Sequence, residues 1–300
     1  MKKILITGSS GFIGRHLSET LAKNKKNFIY CIDKKKSNFY NNYENLKFIN
    51  SNLKDRISFP KVDIVFHLAA FNGTKFFYLK PFEVIQDNII PTYNLLNYYK
   101  KNKPSLFIYA GSPESTAGAT DYFKYKIPTD EKSPLVIEDP LNLRWSYAGS
   151  KGLGEQFVIS SGLNFIILRY NNVYGKYQKD HFIPDFIKRV KKNKYELYGY
   201  KNTRTMIHVK DAVSASIKVA TNKKCINQIF NIGGDKEMSI LSVAKKIMKA
   251  MNKKNKIKLM PAPKGSALRR LPDISKIRKF IAFKPKISID DGIDLILKNK

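Results

Sequence analysis

The sequence predicts an α/β fold, with a doubly wound parallel sheet followed by a smaller C-terminal mixed α/β lobe. Short apolar runs alternate with longer helical stretches as far as residue 170. This alternation is typical of parallel strands connected by helices. A glycine-rich turn joins the first predicted strand to the first helix. After Gly175 short strands and helices are mixed, which indicates the second lobe.

The strands predicted for the large sheet occupy residues 2–7, 28–32, 46–49, 62–68, 106–110 and 163–170. Further helices are predicted at 81–101, 184–192, 211–221 and 239–251, and further strands at 196–198, 228–232 and 256–260. Residues 71–80 are predicted to form an aromatic loop, which either contacts a ligand at the sheet edge or packs under a turn. Residues 115–143 are predicted to be a long irregular loop, and such loops are usually functional or mobile.

The first turn resembles a dinucleotide-binding fingerprint and predicts a Rossmann-like domain. Gly8 makes the tight turn, Gly11 lets the backbone approach a pyrophosphate, and Gly14 lets the helix pack on the sheet. Free N–H groups at the helix start are suited to phosphates. The second strand ends in Asp33, 19 residues past Gly14, at the distance expected for a carboxylate that binds ribose hydroxyls. Its charge favours NAD over NADP, although three lysines follow at 34–36.

Two more stretches are expected to lie along the cofactor. Asn52 and Leu53 follow the third strand, where a side chain that contacts adenine is expected. The fourth strand ends in Leu68, Ala69 and Ala70, and small residues there let a cofactor lie close to the backbone. We therefore predict an NAD-binding domain over residues 1–175, to which 205–232 contribute, and a substrate-binding lobe over 176–204 and 233–300.

Tyr147 and Lys151 stand four residues apart at the start of a predicted helix, which places both side chains on one face. An ammonium near a phenol favours the phenolate, so we expect the pKa of Tyr147 to fall. A phenol tuned in this way can act as a general base toward a sugar hydroxyl. The pair is common by chance on surface helices, but Ser112 upstream could complete a catalytic set.

The net charge is +31, from 55 Lys and Arg against 24 Asp and Glu. We interpret this as compositional, because lysine and asparagine are spread along the whole chain and no arginine-rich arm is present; we therefore expect no nucleic-acid partner. Cys31 and Cys225 give no disulfide framework, and the four histidines show no metal-ligand spacing. No apolar run reaches the 18 residues of a membrane helix. We expect a cytoplasmic protein without a metal or a membrane partner.

Several motifs together resemble the extended short-chain dehydrogenase/reductase family, specifically its NAD-dependent nucleotide-sugar epimerases and dehydratases. The resemblance covers essentially the whole chain. Its specific parts are Thr7-Gly-Ser-Ser-Gly-Phe-Ile-Gly14, His67-Leu-Ala-Ala70, Ser112, Tyr147-x-x-x-Lys151, Arg169-x-x-Asn172-Val-Tyr-Gly175, Arg204 before Ile207-His-Val, Asn231-Ile-Gly-Gly234 and Arg269-Arg270-x-Pro-Asp-Ile274.

The resemblance implies a role for each matching residue. Tyr147 is implied as the base that deprotonates a sugar hydroxyl, usually at C4, and Lys151 as the group that lowers its pKa and holds the nicotinamide ribose. Ser112 is implied to share the substrate proton. The resemblance assigns cofactor binding to Gly8, Gly11, Phe12, Ile13, Gly14 and Asp33, and substrate binding to Asn172, Arg204 and Arg270. The substrate implied is a nucleotide-diphosphate sugar oxidised transiently to a 4-keto intermediate.

The segment after Ser112 departs from the family pattern. Pro113 stands where dehydratases carry an acidic residue, while Glu114 matches a functional glutamate of dehydratases and of UDP-glucuronate decarboxylases. The stretch 142–147 and Arg270 also resemble those decarboxylases. Decarboxylation and net NAD(H)-dependent oxidoreduction therefore stay open as alternatives, with a non-catalytic NAD- or nucleic-acid-binding protein as a remote one.

The family resemblance also implies a homodimer. It would pair the helix after Pro81 with the helix of Tyr147, and both would meet their counterparts in a four-helix bundle. The apolar residues Tyr93, Leu96, Phe157 and Val158 suit such an interface and suit a core equally well.

Overall fold

A computed structural model describes residues 1–262 and 267–298. Its main sheet has seven parallel strands in the order β11-β6-β5-β4-β1-β2-β3. These strands are β1 (Lys2–Thr7), β2 (Asn27–Asp33), β3 (Leu46–Asn50), β4 (Ile64–His67), β5 (Leu106–Gly111), β6 (Phe165–Tyr170) and β11 (Gln228–Ile232). The order reverses beside β1, as in a doubly wound sheet. The predicted fold class is confirmed, and the predicted strands agree with the structure to within two residues.

Helices cover both faces of this sheet because successive side chains of a strand point to opposite sides. Leu5, Val65 and Phe107 face a cluster that includes α3 (Pro81–Lys101) and α5 (Trp145–Ile159). Ile4, Ile6 and their neighbours face the opposite cluster, which is formed with α1 (Phe12–Ala22), α7 (Val209–Thr221) and α9 (Ser275–Ile281). Strands buried on both faces explain why their sequences are continuous apolar runs.

A third cluster of buried apolar side chains lies in the C-terminal part of the chain. It joins α6 (Phe182–Lys191), α8 (Ile240–Ala250) and α10 (Ile289–Lys298) around residues such as Phe186 and Ile247. Short strands border it: β8 (Glu196–Tyr198), β9 (Thr203–Thr205), β12 (Glu237–Ser239), β13 (Lys258–Met260) and β14 (Arg269–Arg270). The domain boundaries stay a prediction, and residues 263–266 and 299–300 of the predicted lobe lie outside the described residues.

Two loop predictions need correction. Residues 71–80 are not a loop throughout, because α2 (Thr74–Leu79) forms there and buries Phe77. The segment 115–143 contains the short helix α4 (Ala117–Asp121) and is otherwise largely irregular. A side chain at Gly118 would meet the Val136 carbonyl at 2.7 Å, so this segment folds closely upon itself. The strands β7 (Val173–Tyr174) and β10 (Ile207–His208), like β9, β12 and β14, were not predicted.

Candidate active site

A cavity of about 1360 Å³ lies at the carboxyl ends of the parallel strands. Gly8 follows β1, Leu68 follows β4, Ser112 follows β5 and Asn172 follows β6, and all four residues line the cavity. Chain direction explains this grouping, because parallel strands bring all their carboxyl ends to one edge of the sheet. Ligands of open α/β sheets bind at this edge.

The glycine loop at one part of this cavity has room only for hydrogen at its key positions. Gly8 has φ +68°, and a Cβ there would lie 2.8 Å from the Ala69 backbone. A Cβ on Gly14 would lie 2.1 Å from the Gly8 carbonyl oxygen. Gly11 is the N-cap of α1, and Phe12 and Ile13 of its first turn also line the cavity. The glycines of the loop therefore present backbone rather than side chains to the cavity.

The structure places the other predicted cofactor residues at different distances from this loop. The Asp33 carboxylate accepts a hydrogen bond from the Ser10 amide (3.0 Å), so it lies beside the loop. Leu68 and Ala70 line the cavity, and the backbone of Ala69 packs against Gly8.

Asn52 and Leu53 do not line the large cavity. Asn52 lines a separate shallow depression, where its amide donates to Asp55 (2.7 Å). Leu53 is buried in the core, and its carbonyl accepts from the Asn94 amide (2.9 Å). Contact of these two residues with adenine stays a prediction.

Ser112, Tyr147 and Lys151 all line the cavity and are all buried. The ring of Tyr147 stacks on Phe77, with ring centroids 4.7 Å apart. The ammonium of Lys151 donates to the Ala110 carbonyl (2.8 Å), one residue from the end of β5. The sequence-based set is thus brought together, and Phe77 is a neighbour that the sequence indicated only as part of an aromatic segment.

The expected fall in the pKa of Tyr147 is wrong for this structure. Burial raises the pKa of Tyr147, the hydrogen bond with Ser112 opposes the rise, and the nearby charge of Glu114 adds to it. Burial likewise lowers the pKa of Lys151 to about 8, against the opposing charge of Glu155. The physical reason is desolvation, which disfavours each charged form, together with the bond that directs the ammonium to a backbone carbonyl rather than to the phenol.

Charged residues from four separate stretches of the chain meet near Ser112. Arg144 donates to Glu114 (3.1 Å), and the Glu114 carboxylate lies 4.0 Å from the Arg270 guanidinium. Arg270 in turn makes a bidentate pair with Asp121 (2.7 and 2.8 Å). Arg204 donates to the carbonyls of residues 203 and 267 (2.7 and 2.8 Å). Burial, with Arg270 nearby, lowers the pKa of Arg204 to about 10.

The sequence did not single out Arg144 or Asp121 as site residues. The likeness of residues 142–147 to decarboxylases was a signal for Arg144, whereas nothing in the irregular segment marked Asp121. Asn172, with φ +41°, lines the cavity together with Arg204, Glu114 and Arg144. Arg270 does not line the cavity and reaches this group through Glu114 and Asp121. The segment at 177–182 also lines the cavity and was not indicated by the sequence.

Within residues 1–262 and 267–298, no three His, Cys, Asp or Glu side chains come together as a metal site would require. In the same part of the chain, no helix has the length and apolar character needed to cross a bilayer.

The fold and the cavity define a class: an α/β protein that carries a dinucleotide-binding loop beside a Ser, Tyr and Lys set. The chain belongs to the NAD dependent epimerase/dehydratase family, whose sequence model matches residues 4–233. NAD is the cofactor of this family, and its members are enzymes of the extended short-chain dehydrogenase/reductase type.

Three relatives show the range of named activities. The UDP-N-acetyl-alpha-D-glucosaminuronate decarboxylase of Bacillus cytotoxicus is 33% identical over 97% of this chain and 95% of that protein. The dTDP-D-glucose 4,6-dehydratase of Dictyostelium discoideum is 35% identical over 83% of this chain and 62% of that protein. The structure of the UDP-glucose 4-epimerase of Thermotoga maritima with UDP-glucose is 25% identical, with a TM-score of 0.86, and covers 99% of this chain and 97% of that one.

Proposed function

We propose that the protein converts a nucleotide-diphosphate sugar through transient oxidation of the sugar C4 hydroxyl to a ketone. The observation that carries this proposal is the position of Ser112, Tyr147 and Lys151, which line one cavity together with the glycine loop. A relative solved with UDP-glucose and two relatives named for nucleotide-sugar reactions support the substrate class.

The residues of the glycine loop fit NAD. A Cβ at Gly8 or Gly14 would strike backbone, so no side chain at these positions stands between the start of α1 and a pyrophosphate. Gly8, Gly11, Phe12, Ile13, Gly14, Leu68 and Ala70 would hold the cofactor, and Asp33 would accept its ribose hydroxyls. NAD, when bound, supplies acceptance and return of a hydride.

The protein's own groups would handle the proton. Tyr147 would take the proton of the C4 hydroxyl, and Ser112 would hydrogen-bond the same oxygen. Lys151 lies one helical turn away on α5 and would bind the nicotinamide ribose. Because a C4 ketone acidifies the neighbouring C–H bonds, epimerisation, loss of water or loss of carbon dioxide can follow before hydride return.

Asn172 and Arg204 would bind the diphosphate or the nucleoside. Both line the cavity, and within the described part of the chain the Arg204 guanidinium donates to backbone carbonyls rather than to a carboxylate. Its charge is therefore available to an anionic ligand, and a forked guanidinium suits phosphate. Arg270, which holds Asp121 and lies near Glu114, would support the same end of the site.

Decarboxylation of a nucleotide-linked uronic acid is the second candidate. It is favoured by Glu114, which follows Ser112 closely, lines the cavity and accepts a hydrogen bond from Arg144. The similarity to a decarboxylase along 97% of the chain supports it. Pro113, which offers no acidic group, counts against a 4,6-dehydratase that needs an acid at that position.

The deciding experiment incubates the purified protein with NAD and a panel of UDP-, GDP-, CDP- and dTDP-sugars. Product mass and nicotinamide absorbance are followed together. Unchanged mass, loss of water or loss of carbon dioxide names the reaction if NADH stays near zero. NADH that rises in proportion to product would replace the proposal with net oxidoreduction.

Tyr147→Phe tests the assigned base. We expect kcat to fall by about 100- to 10,000-fold, because general base catalysis has that size, while NAD binding is retained. Tyr78→Phe is the control, since Tyr78 also lines the cavity and is 43% exposed. Full activity of Tyr147→Phe would contradict the mechanism.

A further inference from the structure

A buried ion pair lies behind the catalytic end of β5. Glu155 and Arg169 are 1% and 3% exposed. The Arg169 Nε donates to one carboxylate oxygen of Glu155 (3.0 Å) and its Nη2 to the other (2.7 Å), a bidentate geometry. Neither residue lines the cavity, so the proposed reaction does not use them directly.

The fold explains why this pair meets the catalytic residues. Glu155 stands on α5 one turn after Lys151 and two turns after Tyr147. Arg169 lies on β6 directly opposite Gly111 of β5. A Cβ on Gly111 would lie 2.7 Å from the Glu155 carboxylate and 3.2 Å from the Arg169 side chain. Glycine at 111 therefore makes room for the pair immediately before Ser112.

The surroundings of Lys151 make this carboxylate important. The Lys151 ammonium bonds the Ala110 carbonyl and lies 4.9 Å from the centre of the Tyr109 ring. Among the described residues, the titratable groups near it include Tyr147, one turn earlier on α5, and His67, whose pKa the ammonium lowers. Burial raises the pKa values of Tyr109 and Tyr147 and lowers that of His67 to about 3, so all three are neutral near pH 7. Glu155, one helical turn from Lys151, is the group whose charge opposes the fall in the lysine pKa, and Arg169 binds its carboxylate.

We propose that Glu155 is a positioning residue, which with Arg169 keeps Lys151 charged and fixed against β5 beside Ser112. The kinetic part of this inference rests on the proposed function. This role can be distinguished from a purely structural one. A buried ion pair can often be exchanged for neutral residues of similar volume with little loss of stability, so the exchange can be made in a folded protein. If the pair only supports the fold, that exchange leaves the charge of Lys151 unchanged.

The test compares the wild type with the double variant Glu155→Gln/Arg169→Met, which removes both charges of the pair. The fraction of protonated Lys151 is measured by competitive acetylation with acetic anhydride between pH 6 and pH 10, followed by mass spectrometry. We expect the titration of Lys151 to move to lower pH by about one unit in the variant, because the ammonium loses its counter-charge. The alkaline limb of kcat should move by a similar amount.

Lys246→Gln/Asp290→Asn is the matched control, because it removes an ion pair of the same formal charge from the C-terminal lobe. It should leave the titration of Lys151 in place. Glu155→Asp retains the charge and should restore a titration near that of the wild type, which also covers the case in which the double variant fails to fold. An unmoved Lys151 titration in the folded double variant would overturn the proposal, whatever its melting temperature. If no sugar is turned over, the proposed function fails while the acetylation still decides the role of Glu155.

Discussion

At the scale of single residues, burial dominates the electrostatics of this site. Tyr147, Lys151 and His67 are all shifted toward their neutral forms, because each is removed from water. A spacing argument correctly places Tyr147 and Lys151 on one helix face, yet it contains no information on desolvation. The direction of the Tyr147 shift could therefore be obtained only from the surroundings of the side chain.

Asp33→Asn tests cofactor choice. The Asp33 carboxylate accepts from the Ser10 amide, and asparagine retains an acceptor oxygen there while it loses the charge. We expect the wild type to prefer NAD, and the ratio of Kd values to shift by about tenfold toward NADP in the variant, because repulsion of the 2′-phosphate is removed. Titration calorimetry with both cofactors measures this ratio. Asp63→Asn, at the amino end of β4, removes the same charge and should not change it.

Because His67 is buried in its neutral form, we expect the protein to lose stability in acid. Its ring nitrogens bond Thr7 (2.7 Å) and Thr92 (3.0 Å), and burial, with Lys151 nearby, lowers its pKa from 6.5 to about 3. Between pH 6.5 and about pH 3 the His67 side chain binds a proton in the unfolded chain but not in the folded one. The free energy of unfolding therefore falls as pH decreases. In His67→Gln the free energy of unfolding should depend less steeply on pH, by up to about 1.4 kcal/mol per pH unit. Denaturant unfolding at several pH values measures it, and parallel slopes would refute the assignment.

At the scale of elements, the long strands of the sheet and most of the longer helices could be predicted, together with β8 and β13, whereas β7, β9, β10, β12 and β14 could not. The seven strands of the sheet are apolar runs bounded by turn residues, and that pattern is local. β7, β10 and β14 have two residues each, and their pairing depends on partners far away in sequence. The contacts of Glu114 with Arg144 and Arg270 also join residues that are far apart in sequence. Local sequence patterns therefore could not predict that these three side chains lie together.

Gly14→Ala tests the turn between β1 and α1. The new methyl group would lie 2.1 Å from the Gly8 carbonyl oxygen, so the helix must shift. We expect a loss of about 1–3 kcal/mol in the free energy of unfolding, together with weaker NAD binding. Gly152→Ala is the control inside α5, where the new methyl group would lie 3.5 Å from the Leu135 side chain. It should gain about 0.5–1 kcal/mol in the free energy of unfolding. Thermal unfolding with and without NAD distinguishes the two variants.

At the scale of the whole molecule, α3 and α5 leave apolar side chains in solvent. Phe82, Ile85, Tyr93 and Leu153 are 72%, 45%, 53% and 48% exposed. Leu96 and Val158, which the sequence allowed at an interface, are buried in the core instead. The exposed set suits a second copy of the chain, so the homodimer stays our prediction.

Leu153→Glu tests this assembly. We expect a dimer in sedimentation velocity for the wild type and a monomer for the variant, because two buried carboxylates would face one another across a two-fold axis. Leu259→Glu is the control, since Leu259 has a similar exposure of 45% but lies on β13 of the C-terminal lobe. A monomeric wild type would refute the interface.

The site is divided along the chain in a way that bears on how such proteins diversify. The proposed chemical groups at 112, 147 and 151 all precede residue 175, whereas the guanidiniums at 204 and 270 come from the later part of the chain. The family model ends at residue 233, before Arg270. Exchange of the segments after residue 175 between relatives should therefore change which sugar nucleotide is bound. Such chimaeras should keep the hydride chemistry of the parent and act on a different substrate.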